Sequence, residues 1–104
     1  MTPAEIGNYG ERHATAALQA RGWQCQRNTQ QPGSTDIEAR SGNKGLLVQV
    51  KTGLVPNPPP AISPEEKRNI TSRATNLGFE AWLAQLQIGA QGELIGAINW
   101  TKLN

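Results

Sequence analysis

Twelve residues lie between Asp36 and Gln49, and Lys51 follows two places after Gln49. A carboxylate, then a polar side chain and a lysine at alternate positions, outlines a site where a metal ion and an ammonium act together on a phosphodiester. Hard divalent cations take oxygen ligands, and a lysine beside such an ion can stabilise charge growing on a phosphate. This chemistry needs both segments to be strands. In Gly45 to Thr52 (GLLVQVKT) side chains alternate between faces, so Leu47, Gln49 and Lys51 project one way and Leu46, Val48 and Val50 the other. An apolar run gains no stability from an amide and an ammonium. A charge buried without a partner costs several kcal/mol in practice, so Lys51 requires a carboxylate or a water-filled cleft opposite it. Asp36, within Thr35 to Arg40 (TDIEAR), is the candidate partner.

The flanking sequence supplies the frame. A helix is predicted from about Pro3 to Ala20, with Thr2 as N-cap, Pro3 and Glu5 in the first turn, and Arg21-Gly22 as a basic last turn and glycine stop. Ile6, Tyr9 or Gly10, His13, Ala14, Ala17 and Leu18 form its apolar stripe. Trp23 to Asn28 reads as a strand, Gln30 to Ser34 as a turn into the strand of Asp36, and Gly42-Asn43-Lys44-Gly45 as a hairpin turn. Leu54 to Ile62, with Pro56, Pro58, Pro59 and Pro60, must be a stiff extended loop. Ser63-Pro64-Glu65-Glu66 is a capping box opening a helix to about Asn76, closed near Gly78. Phe79 to Ile88 and Glu93 to Trp100 form a terminal hairpin, with Trp82, Ala84, Leu86 and Ile88 on one face and Leu94, Ile98 and Trp100 on another. The order α-β-β-β-α-β-β describes an α/β fold, a mixed central sheet of about five strands flanked by two helices.

The 104 residues suffice for one core, so a single domain over 1–104 is expected. A net charge of +2 from scattered basic residues excludes a strong general electrostatic grip on nucleic acid, so any DNA contact must be local. Cys25 is alone, which excludes an internal disulfide and a cysteine-based zinc site and suits a reducing compartment; its ordinary reading is a small buried strand residue. With no apolar run of membrane-spanning length and no signal-peptide core, a cytoplasmic location is expected.

Four short stretches occur in a telling order: Gly10-Glu11 in the first helix; Gly22-Trp23 and Arg27-Asn28; Thr35-Asp36-Ile37-Glu38-Ala39; and Leu47-Val48-Gln49-Val50-Lys51-Thr52. This pattern resembles the PD-(D/E)XK nuclease superfamily, above all its small members related to archaeal Holliday junction resolvases. The likeness is close over the first half of the chain and rests on the helix-then-hairpin pattern in the second. It implies a restriction-endonuclease-like fold and a Mg²⁺- or Mn²⁺-dependent deoxyribonuclease that acts as a homodimer on branched or single-stranded DNA. In that scheme Asp36 and Gln49 hold the ion, Glu11 reaches it from the helix directly or through water, and Lys51 positions the attacking water and stabilises the phosphate. Most members carry Asp or Glu where this chain has Gln49, whose amide oxygen brings no charge. Glu38, two residues past Asp36, is open to two readings: it restores the missing charge, or it is a solvated strand residue.

Arg27, Lys44, Lys67, Arg68 and Arg73 are candidate phosphate contacts, although a solvated helix face accounts equally well for the last three. His13, without a second histidine or a cysteine to share a metal, belongs to helix packing, and Trp23, Trp82 and Trp100 to the core. The competing expectations are a catalytically weakened DNA-binding or regulatory protein, and an accessory module of a recombination or excision complex that uses the proline-rich loop for docking.

Overall fold

The computed structural model describes residues 1–28 and 36–104, and of Asn28 and Asp36 the backbone alone. Its elements are α1 (Pro3–Ala20), β1 (Gln24–Asn28), β2 (Asp36–Ser41), β3 (Lys44–Leu54), α2 (Pro64–Leu77), β4 (Glu80–Ile88) and β5 (Leu94–Lys102). The predicted α/β order is the observed one. The strands form one sheet in the order β1-β2-β3-β4-β5, with β3 and β4 parallel and all other neighbours antiparallel. The turn expected over 30–34 and the start of a strand at Thr35 lie outside the described residues.

Both helices begin with the reciprocal bonds of a capping box. Glu5 N donates to Thr2 Oγ1 (3.1 Å) while Thr2 N donates to Glu5 Oε1 (2.9 Å), and Ser63 and Glu66 repeat the arrangement. The basic last turn expected of α1 is absent: Arg21 is the C-cap itself, and Gly22 just beyond it takes the left-handed conformation at φ 91°.

Alternation along β3 builds the layers. Leu46 and Val48 turn to one face and meet Ala14 and Leu18 of α1, Ile37 and Ala39 of β2 and Ala84 of β4. The three tryptophans pack half-buried against this cluster, as core residues do. Leu47 turns the other way and meets Ile70 and Ala74 of α2 with Ala81 of β4. The sheet thus lies between two helices. Gly10 lets α1 settle close on β3, because a Cβ there would run into the Thr52 side chain. The neighbouring Glu11 is thereby brought down to 4% exposure.

In the terminal hairpin the pairing shifts by two residues: Gln85 and Gln87 face Asn99 and Ile95, so β5 spends two more residues than β4 between these pairs. Gly96, at φ 73°, lies in this bulge, which preserves the alternation and returns Ile98 and Trp100 to the α1 face.

Candidate active site

Gln49 sits at the middle of the sheet, opposite the backbone of Asp36 on β2 and Leu83 on β4. It shares the α2 face with Leu47 and Lys51, and it is 4% exposed, buried as amide side chains seldom are. Lys51 Nζ donates to Glu66 Oε2 across 2.6 Å, in a pair whose side chains are 18% and 29% exposed. Glu66 stands at the third position of α2. Its Oε1 accepts from Ser63 N at 3.0 Å and its own amide donates to Ser63 Oγ at 3.1 Å. The Lys51 hydrogen bond, against opposing desolvation and aided by Ser63, holds the Glu66 carboxyl below the ordinary carboxylate range. The positive end of the helix dipole favours the same ionised state.

Among the described side chains the carboxylate that faces Lys51 is Glu66; that of Asp36, the partner expected from the sequence, lies outside the described residues. The capping-box reading of Glu66 was correct but accounted for one oxygen only.

Glu11 is on the other face. Its carboxylate is paired with Arg27, whose Nη2 also donates to Asn8 Oδ1 at 2.9 Å. Among the described contacts none joins Glu11 to Gln49 or Lys51. Arg27, expected as a phosphate contact, is engaged by α1.

The remaining candidates separate by position. Glu38 accepts from Arg40 Nε at 3.0 Å, which favours its reading as a solvated strand residue. Lys44 begins β3, about 23 Å from Lys51 at the rise of a strand, too far for one phosphate to meet both. Lys67 and Arg68 are exposed directly after Glu66, whereas Arg73 is half-buried and engaged. His13 Nε2 lies 2.8 Å from Gly92 O; a carbonyl only accepts, so this nitrogen carries the proton and ties α1 to the β4–β5 turn. Cys25 packs against the α1-side core, and burial pushes its thiol up, away from nucleophilic use.

The proline-rich segment forms one wall of the site. Gln85, beside Lys51 in the ladder, donates to Pro60 O at 3.2 Å, and Gln87 donates to Asn57 O at 2.8 Å. Gly53 leaves the room this crossing needs, since a Cβ would meet the backbone of Asn57 and Pro58.

Among the described residues no group of three His, Cys, Asp or Glu side chains gathers about one point. β2 and β3 set the backbones of Asp36 and Gln49 opposite each other, and a carboxylate and an amide are by type oxygen donors, a chemistry that fits Mg²⁺ or Mn²⁺ and not softer metals.

The sheet order and the two flanking helices recur in a solved structure. The chain is similar to the solved structure of Hjc, a Holliday junction resolvase from the archaeal hyperthermophile Archaeoglobus fulgidus. The TM-score is 0.68 at 23% identity, over 93% of this chain and 72% of that one. At this identity the likeness is one of fold. No protein-family model matches the sequence, and no curated protein does. Among the described residues no helix is long and apolar enough to cross a membrane.

Proposed function

We propose that this chain is a metal-dependent deoxyribonuclease that hydrolyses phosphodiesters in branched or single-stranded DNA. The observation that carries this reading is Lys51, an ammonium held by a carboxylate beside a buried amide at the centre of a resolvase-like sheet. Asp36 and Gln49 would hold a Mg²⁺ or Mn²⁺ ion, which when bound supplies Lewis-acid activation of the phosphodiester and of the attacking water. Lys51 has three N–H donors and gives one to Glu66. The others can orient the water and stabilise charge on the phosphate oxygens. Gln49 contributes an oriented oxygen without charge. Glu11, the more distant participant, would have to release Arg27 to reach an ion. Lys67 and Arg68 on the first turns of α2 are the basic groups suited to guide a DNA backbone toward Lys51.

A homodimer suits symmetric branched substrates that need two cuts. Leu77 at the end of α2 (50% exposed) and Leu94 and Ile95 on β5 (37% and 42%) are the apolar groups such an interface would cover. A cytoplasmic location accompanies this reading.

The test is single-turnover cleavage of four-way, single-stranded and linear duplex DNA with Mg²⁺ or Mn²⁺. Cutting of branched or single-stranded DNA that stops on chelation is the expected result; cutting that survives chelation counts against metal dependence. The uncharged Gln49 favours one second reading, a DNA-binding or regulatory protein that has lost cleavage. It predicts junction binding without cutting at any metal concentration.

A further inference from the structure

We infer that Glu66 is the positioning residue for Lys51 and supplies, from α2, the negative charge that Gln49 does not bring to β3. The inference rests on the nuclease reading and adds to it a residue from outside the strand motif. In the pattern that the chain resembles, two acids and a lysine leave the site with a net negative charge, which attracts a cation. With glutamine at position 49, Asp36 and Lys51 alone would cancel. Glu66 restores the balance at 2.6 Å from the ammonium.

Three features suit Glu66 to this task. Its second oxygen is bound to Ser63 N at 3.0 Å, so the carboxylate is a fixed acceptor and draws the flexible lysine stem to one place. It belongs to a helix that packs through Ile70 and Ala74 on the same sheet face as Leu47, so helix and strand cannot shift independently. Two other carboxylates that the sequence offers are engaged elsewhere, Glu38 by Arg40 and, on the opposite face, Glu11 by Arg27, while Glu65 is exposed. Lys51 held in this way works as a charged donor to water and phosphate, and a different group must accept the proton of the attacking water.

Wild type, Glu66→Gln, Ser63→Ala and the double variant Glu66→Gln/Gln49→Glu test the assignment through three readouts. These are calorimetric Mn²⁺ binding, single-turnover cleavage, and the ¹⁵N resonance of the Lys51 ammonium in metal-free protein. Glu66→Gln is expected to lower cation affinity and cleavage by about 10–100-fold, the range for groups that orient a metal site from behind its ligands. The slowly exchanging Lys51 signal should disappear. Ser63→Ala weakens the same helix cap but leaves the Lys51 contact, so it should keep the signal and stay within about threefold of wild type. Gln49→Glu added to Glu66→Gln should return binding and cleavage toward wild type, a rescue that repair of a cap cannot produce.

Equal losses in Ser63→Ala and Glu66→Gln, absence of rescue, or a Lys51 signal that survives Glu66→Gln would each overturn the inference. A wild type that neither cuts nor binds Mn²⁺ sinks the nuclease reading instead. The ammonium signal still reports separately whether Glu66 holds Lys51.

Discussion

Two carboxylate–cation pairs lie on opposite faces of the same sheet, and they are built differently. In Glu11–Arg27 the acid is the deeper partner, 5% exposed against 37% for the arginine, and the pair joins α1 to β1. In Lys51–Glu66 the cation is the deeper partner, 18% against 29%, and both carboxylate oxygens are bonded. A buried acid met by a surface arginine fastens two elements. A half-open ammonium that, among the described residues, gives one of its three donors to Glu66 can still meet water and an anion. On the proposed nuclease reading, the same two charge types serve packing on one face and chemistry on the other, according to which member is buried.

The sharpest way to break this contrast is Lys51→Ala. Cleavage should fall by about 10²–10³, the scale for losing one oriented donor to developing charge. Cation binding should be kept or strengthened because a nearby positive charge has gone, and the urea midpoint should move little, since partly exposed pairs contribute about 0.2–1 kcal/mol. Single-turnover kinetics, calorimetry and urea unfolding on one preparation measure all three. Arg27→Ala should show the reverse. Leaving Glu11 buried without its counter-charge should cost about 2–3 kcal/mol, less than a fully buried pair because Arg27 is partly exposed. Glu11→Gln/Arg27→Met, which removes both charges, should recover most of that loss in urea unfolding. Lost cleavage at full stability in Arg27→Ala would move Glu11 to the catalytic side of the comparison.

What the sequence made legible was local. Capping boxes are read from residues three apart, strand faces from alternation, and the proline-rich loop from residues that cannot donate a backbone hydrogen bond. Both caps and the two faces of β3 stand in the structure as expected. The contact of Glu66 with Lys51 was not legible, because it depends on where a crossover helix lands. Parallel β3 and β4 require α2 to cross the sheet, which returns its first turn to the strand just left. A glutamate at the third position of a helix following a lysine-bearing strand was the available signal. The burial of Glu11 was likewise hidden, since glutamates on helices are mostly exposed, although Gly10 beside it marked a close approach. The bulge in β5 was signalled only by Gly96 within an alternating run.

The smallest predicted effect concerns acid. The Glu66 carboxyl lies below its ordinary value of 4.5, first because Lys51 donates to it, with desolvation opposing and Ser63 adding. A carboxyl depressed in the folded state binds fewer protons folded than unfolded between its two values. Its stabilisation is therefore present in full above the ordinary value and is lost as pH falls through the lower, folded one. Urea midpoints measured from about pH 6 down to about pH 3 should fall more steeply for wild type than for Glu66→Gln, and the two curves should converge at the acid end. Glu5 and Glu80 are also depressed, by the Thr2 cap and by Trp82 and Lys102 respectively, but both remain in the variant and drop out of the difference. Parallel curves would mean that the Lys51–Glu66 bond adds nothing to stability in solution, leaving Glu11–Arg27 as the member of this comparison that fastens the fold. Steeper acid loss in the variant would reverse the sign and mean that folding raises the Glu66 carboxyl, which a bond from Lys51 cannot do.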